Sequence, residues 1–225
     1  MAVAIIADAH LGGVGGEAVP LVAQLDALAD EGCERLILLG DLFQIWVGDR
    51  RFETPDLALV VESLVRLRAA GVRIEYIEGN RDFFLGAGAY AEAFDLVGLE
   101  TEFEAGGRRF LAVHGDGLDA KDYRYRFWRA VSKSRLSEAA LKLVPGALAY
   151  SIIHSTERNL AKTNFKHKIR IPEEAVRAYG AGRLAEGYDE LVLGHFHKGR
   201  EWSLPEGTIR ILEPWFESRR VEWFR

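Results

Sequence analysis

Ala2-Val3-Ala4-Ile5-Ile6-Ala7-Asp8-Ala9-His10 opens with six small or branched apolar residues and stops abruptly on a carboxylate, with an imidazole two positions later. An apolar run without polar alternation predicts a strand buried on both faces, as in α/β sheets. The same grammar recurs along the chain. Residues 35–39 run into Gly40-Asp41, residues 73–77 into Gly79-Asn80, residues 109–113 into His114-Gly115, and residues 190–193 into Gly194-His195-Phe196-His197. Between them, residues 17–31 and 55–70 read as helices, the second with Pro55 at a favourable first-turn position after Thr54. Alternating strands and helices predict parallel strands joined by crossovers. Ligands in such sheets gather at the carboxyl ends of strands, where these motifs fall. Residues 208–212 and 219–224 read as strands of an antiparallel continuation.

The strand-end residues share a chemistry. Asp8, His10, Asp41, Asn80, His114, His195 and His197 are oxygen and nitrogen ligands with no thiolate among them. Such a set suits Mn²⁺, Fe²⁺, Co²⁺ or Zn²⁺ and not a soft-metal or iron–sulfur site. Asp8 and His10 stand two apart, so on a continuing strand they point the same way. Asp41 follows a glycine, and a carboxylate has two oxygens, which makes it the candidate bridge between two cations. His195 and His197 repeat the spacing of two, one for each metal. Each element alone is common; the ordered set, each member after a predicted strand, predicts a dinuclear site. Two divalent ions close together hydrolyse phosphoesters.

Composition narrows the field. With 225 residues, 48% hydrophobic and 28% charged, the chain suits one folded domain and excludes wholesale disorder. Its net charge of -5 argues against a general nucleic-acid binder. The single cysteine, Cys33, fits a reducing cytosol, with a partly buried thiol as its plain reading. The N-terminal run has no basic start and no cleavage pattern, and reads as a first strand and not as a signal peptide. No apolar run approaches the roughly 20 residues needed to cross a bilayer. The expected location is cytoplasmic or peripheral, with no obligate protein partner evident.

The order Asp-x-His, Gly-Asp, Gly-Asn, His-Gly, Gly-His-x-His, from Asp8 to His197, resembles the calcineurin-like metallophosphoesterase superfamily. The resemblance implies a two-sheet sandwich of mixed β-sheets flanked by helices, with a dinuclear site at one end. It implies Asp8, His10, Asp41 and His197 around one metal and Asp41, Asn80, His114 and His195 around the other, with in-line attack on phosphorus. Many members carry histidine after Gly-Asn, where it protonates the leaving group. Here the residue is Arg81, a permanent cation and a poor acid, which shifts the expectation to a leaving group that is already acidic, such as a phosphate within a diphosphate.

Residues 40–49, Gly79-Asn80-Arg81-Asp82-Phe83 and His114-Gly115-Asp116-Gly117-Leu118, with Asp122 following, look like the UDP-2,3-diacylglucosamine hydrolase family of lipid A biosynthesis. That resemblance implies a pyrophosphatase reaction releasing UMP and the acylated sugar 1-phosphate, with two divalent ions, Mn²⁺ first among them. Asp41, Asn80, Arg81 and His195 are the expected catalytic residues. Asn80, Arg81, Asp122, Ser155, Asn159, Lys162 and His195 are the expected substrate contacts. The pattern departs at Gln44, where an acidic residue is common, and at Phe196.

Residues 119–171 break the strand–helix rhythm and read as a helical cap inserted in a single domain spanning 1–225. Residues 123–143 and 148–161 carry apolar residues at helical spacing on either side of Pro145-Gly146. Phe127, Trp128, Val131, Leu136, Leu141, Leu143, Val144, Leu148, Ile152 and Ile153 supply more apolar surface than packing requires. Arg124, Arg126, Arg129, Lys133, Arg135 and Lys142 interleave with them, as in helices that meet anionic headgroups. The expectation is a chamber for acyl chains of a lipid-linked sugar nucleotide and a peripheral contact with the cytoplasmic face of the inner membrane. Two other readings remain: a phosphodiesterase or pyrophosphatase acting on a soluble nucleotide, and a scaffold that has lost its chemistry. His154 and His167 receive no role.

Overall fold

The computed structural model describes residues 1–86, 88–153, 155, 156 and 171–225. Two five-stranded mixed sheets stack face to face, each covered on its outer side by helices. In the first sheet Val3–Ile6, Arg35–Leu38, Arg73–Ile77 and Leu96–Gly98 run parallel, and Glu222–Phe224 closes the edge antiparallel to Val3–Ile6. In the second the order is Arg200–Leu204, Gly207–Ile211, Glu190–Leu193, Arg108–Val113, Glu100–Ala105, with parallel pairs at the centre and antiparallel pairs at both edges. This is the mixed two-sheet sandwich that the family resemblance implies.

Alternation along the first strand explains its apolar run. Val3 and Ile5 face the second sheet, and between the sheets Phe103 and Phe110 of the second pack with Phe224 of the first, ring centroids about 5 Å apart. Ala4 and Ile6 face outward, beneath the helices Val19–Ala27 and Pro55–Ala69. The latter helix starts as expected, with Thr54 Oγ1 accepting the Leu57 N–H and proline in the first turn. The second sheet buries its outer face against Glu173–Leu184, a helix that the apolar spacing of the sequence does not announce.

Two smaller features position the site. Trp46–Val47 and Asp82–Phe83 form a two-stranded parallel ribbon that fastens the loop after Gly40 to the loop after Gly79. Trp46 is fully buried among the rings of Phe43, Tyr76, Tyr90 and Phe94, so the ribbon is anchored in the core. The predicted strand 219–224 is shorter, Glu222–Phe224, because the short helix Trp215–Ser218 precedes it and Arg219 turns the chain in the left-handed region.

Beyond the second-sheet strand Arg108–Val113 lie the helices Tyr123–Ser132 and Arg135–Leu143 and a helical stretch over residues 146–153. The predicted helical segment 123–143 is broken at Lys133-Ser134, where Ser134 turns extended and caps the next helix through Ser137 N–H. No helix among the described residues is long and apolar enough to cross a membrane.

Candidate metal centre

Asp8 and His10 do converge, but not as members of a continuing strand. The strand ends at Ile6, and both residues adopt the left-handed region, with φ of 51° and 47°. Asp41, His195 and His197 do the same at 52°, 68° and 51°. Each such turn costs a non-glycine residue on the order of 1–2 kcal/mol. Five of the seven expected ligands carry that strain, which folds their side chains back over the carboxyl ends of both sheets. Packing holds the turns in place: Asp8 N–H donates to Gly40 O, His10 N–H to Asp41 O and Leu11 N–H to Leu42 O.

The result is two clusters of ligand atoms, Asp8 with His10 and His197, and Asp41 with His114 and His195. In the first, His10 Nε2 and His197 Nε2 approach to 2.9 Å, and His197 Nε2 lies 3.2 Å from Asp8 Oδ1. Asp41 sits between the clusters, its Oδ2 3.9 Å from His10 Nε2 and its Oδ1 3.7 Å from His114 Nε2. Each cluster draws on both sheets: Asp8, His10 and Asp41 follow first-sheet strands, and His114, His195 and His197 follow second-sheet strands. Asn80 is buried, and the next residue's N–H donates to Asp41 Oδ1.

Three observations show that these residues fit cations. Asn80 Oδ1 and His114 Nε2 are buried without a hydrogen-bond partner among the described residues. His114 Nδ1 lies 2.8 Å from Leu39 O, and a carbonyl only accepts, so Nδ1 carries the proton and Nε2 presents its lone pair to the cluster. The charges agree. Burial, with the neighbouring Asp41 charge, pushes the Asp82 carboxyl up to about 7, and burial raises that of Asp41. Burial, then the nearby His114, lowers His195 to about 3, so its imidazole is neutral.

Asp82, quoted in its motif but given no role by the sequence, organises the centre from behind. Its Oδ2 accepts the N–H groups of Asp41 and Gly79 at 2.9 and 2.7 Å, and its Oδ1 accepts Tyr76 OH at 2.8 Å. Phe216, also unassigned, sets its ring edgewise against both His10 and His197. Arg81 is buried, donates to Gln44 O at 2.8 Å and places Nε 3.6 Å from Asp41 Oδ2. The departure at Phe196 is a packing one, since that ring is buried in the second-sheet core and meets the His195 ring at 5.2 Å.

Two of the remaining expected substrate contacts fall within the described residues. Asp122 caps the helix Tyr123–Ser132 by accepting Tyr125 N–H, and Ser155 is exposed. Asn159 and Lys162 lie outside the described residues, as do His154 and His167. Two of the basic residues assigned to headgroups face inward instead. Arg129 donates to Asp116, and Lys133 donates to Gly79 O; a buried carboxylate and a backbone carbonyl beside the centre claim them. Lys142 pairs with Glu138 one turn away.

Asp116 gives the centre a pH signature. Burial pushes its carboxyl up, but His114, whose pKa is raised and which is protonated when no cation claims its Nε2, and Arg129 outweigh that and hold it well below the usual carboxylate range. A depressed folded pKa adds stability that is complete above the unfolded value, about 4, and is lost as pH falls through the folded one. The melting temperature of the metal-free protein is therefore expected to fall on acidification below about pH 4, with a shallower slope in Asp116→Asn. An unchanged acid slope contradicts this reading.

No family model matches the chain. A UDP-2,3-diacylglucosamine hydrolase from Chromobacterium violaceum is 32% identical over 228 residues, covering 97% of this chain and 92% of its own. The chain belongs to the UDP-2,3-diacylglucosamine hydrolase family, within the calcineurin-like metallophosphoesterase superfamily. A second relative of that family, from Xanthomonas campestris pv. campestris, is 29% identical over 240 residues, covering 98% of this chain and 94% of its own. Among solved structures, a dimetal phosphatase from Danio rerio is 16% identical with a TM-score of 0.48, covering 96% of this chain and 88% of that one. Family membership and the two ligand clusters make the chain a metal-dependent hydrolase of a phosphate-linked substrate. The reading as a scaffold without chemistry fails, because six of the seven expected ligands are gathered in the two clusters and the chain belongs to a family of metal-dependent hydrolases.

Proposed function

We propose that the protein hydrolyses the diphosphate of UDP-2,3-diacylglucosamine, at the phosphorus on the UMP side, to UMP and 2,3-diacylglucosamine 1-phosphate, a step of lipid A biosynthesis. In this reading Asp8, His10, Asp41 and His197 hold one divalent cation, Mn²⁺ by preference, and Asp41, Asn80, His114 and His195 hold a second. When bound, the pair supplies Lewis-acid neutralisation of the phosphate charge and a water acidified enough to attack phosphorus.

The chain's own groups supply the rest. Arg81 is a permanent cation fixed by Gln44 O beside Asp41, and in this reading it binds diphosphate oxygens whose charge grows in the transition state. It is a poor proton donor, and burial, then the nearby His114, favours the neutral form of the His195 imidazole, which is a weak acid. A sugar phosphate leaving group needs none, because it departs as a weakly basic anion. Both observations favour a diphosphate over a simple alkyl ester.

The observation that carries the acylated substrate is the exposed apolar surface of the helices docked beside this centre. Tyr123, Phe127, Leu136 and Leu143 are 74%, 72%, 81% and 86% exposed on the two helices that follow the His114 loop. Tyr123, Phe127 and Val131 are spaced by four and form one stripe. We read residues 119–171 as a cap on a single domain. The cap takes acyl chains and touches the cytoplasmic face of the inner membrane, with Asp122, Ser155, Asn159 and Lys162 as further substrate contacts. Exposed apolar patches of this kind mark interaction surfaces.

Turnover of the acylated sugar nucleotide compared with its deacylated form tests the substrate. The acylated form is expected to react faster by at least roughly 10²-fold in kcat/KM, because remote binding energy is used at the reacting centre. Equal rates overturn the lipid assignment and point to a soluble nucleotide.

A further inference from the structure

Tyr125, Arg129 and the C-cap residue Lys133 stand at intervals of four along one side of the helix Tyr123–Ser132, opposite its exposed apolar stripe. Tyr125 OH and Arg129 Nε both donate to Asp116 Oδ2, the second at 2.7 Å. Lys133 Nζ, largely buried, donates to Gly79 O at 2.6 Å and lies 3.4 Å from Glu78 Oε2, while Arg129 Nη2 reaches Glu78 O at 3.4 Å. Asp116 is two residues past His114, on the second sheet's side. Gly79 immediately precedes Asn80, on the first sheet's side. One helix face therefore grips both loops at the place where the two sheets must meet to complete the Asp41–His114–His195 cluster.

We infer that Arg129 and Lys133 are positioning residues, a clamp that fixes the separation of the Asn80 and His114 loops and so couples docking of this helix to the affinity of the second cation site. The chemistry favours a clamp over a substrate contact. An ammonium withdrawn from water is stable only against fixed acceptors, and Lys133 meets them in the backbone of the ligand loop. Removing it leaves the Gly79 carbonyl without its donor and the Glu78 carboxylate without its cation.

Mn²⁺ titration calorimetry of Lys133→Met and Lys133→Arg, beside the parent protein, tests the clamp. In Lys133→Met one of two binding events is expected to weaken by roughly 10- to 100-fold, the usual cost of losing a group that orients a metal ligand, with the other unchanged. Lys133→Arg, which can still donate to Gly79 O, restores most of the loss. With bis(p-nitrophenyl) phosphate as substrate and saturating Mn²⁺, kcat falls and KM stays within about twofold. Circular dichroism monitors folding; if Lys133→Met does not fold, the milder Arg129→Lys carries the same expectation. Two unchanged Mn²⁺ events, or a rise in KM alone, overturn the clamp. The inference rests on the two-cation reading, not on the acyl substrate. A parent protein that binds no Mn²⁺ sinks the two-cation reading, whereas a parent that binds two and a variant that matches it sink only the clamp.

Discussion

Asp41→Ala is expected to lower turnover by on the order of 10³-fold or more and to leave a protein that cannot hold two cations together. Asp41 is the one carboxylate among the described residues with an oxygen directed at each cluster, Oδ2 towards His10 and Oδ1 towards His114. An alanine removes a ligand from both sides at once. Metal analysis and UMP release, measured on the same preparation, read the two effects. The contrast is Arg81→Ala, which is expected to keep both cations and slow turnover by about 10²-fold, because it removes a phosphate contact and no ligand. Full activity of an Asp41→Ala protein carrying no metal contradicts the mechanism.

Gly79→Ala is expected to slow turnover as much as Arg81→Ala does, although it deletes nothing. A Cβ there would stand 2.4 Å from Asp41 Oδ1 and 2.7 Å from His114 Nε2, inside contact distance of two members of one cluster that are delivered by different sheets. Neither can retreat cheaply. Asp41 Oδ1 accepts Arg81 N–H, and His114 Nδ1 is tied to Leu39 O. The methyl must spread the ligands, and a displacement of about 1 Å at a reacting centre costs roughly 10²-fold in rate. Overpacking adds about 1–3 kcal/mol of destabilisation, readable in a denaturant titration. Gly117→Ala, where the added atom meets nothing within 4 Å, is the control and is expected to behave as the parent. Parent-like kcat in Gly79→Ala shows that the ligand spacing at this point is not critical.

The strand ends were legible because burial on both faces demands an unbroken apolar run, and a carboxylate or imidazole ends it visibly. Residues 73–77 and 190–193 read directly as strands, and the structure has them there. The aim of the ligands was not legible. Spacing of two suggested strand alternation for Asp8 and His10, whereas left-handed turns at each residue do the work, and a turn of that kind leaves no mark in composition. Glu173–Leu184 escaped because Gly180 and Gly182 lower helix propensity. Gly180 is there for close packing, since a Cβ would fall 2.2 Å from Ile209 Cδ1 on the second sheet. The edge strand Glu100–Ala105 was hidden by its three outward glutamates, although Thr101, Phe103 and Ala105 alternate inward. Arg129 and Lys133 looked like surface cations, because only tertiary structure shows that Asp116 and Gly79 O are waiting for them.

The most direct test strips the protein of metal, adds Mn²⁺ in measured equivalents, and follows UMP from UDP-2,3-diacylglucosamine. The expected result is no UMP without metal, and UMP and the acylated sugar 1-phosphate in equal amounts once two equivalents are bound. UMP formed undiminished by the stripped protein, or none at two equivalents, contradicts a two-cation hydrolase built on these seven ligands.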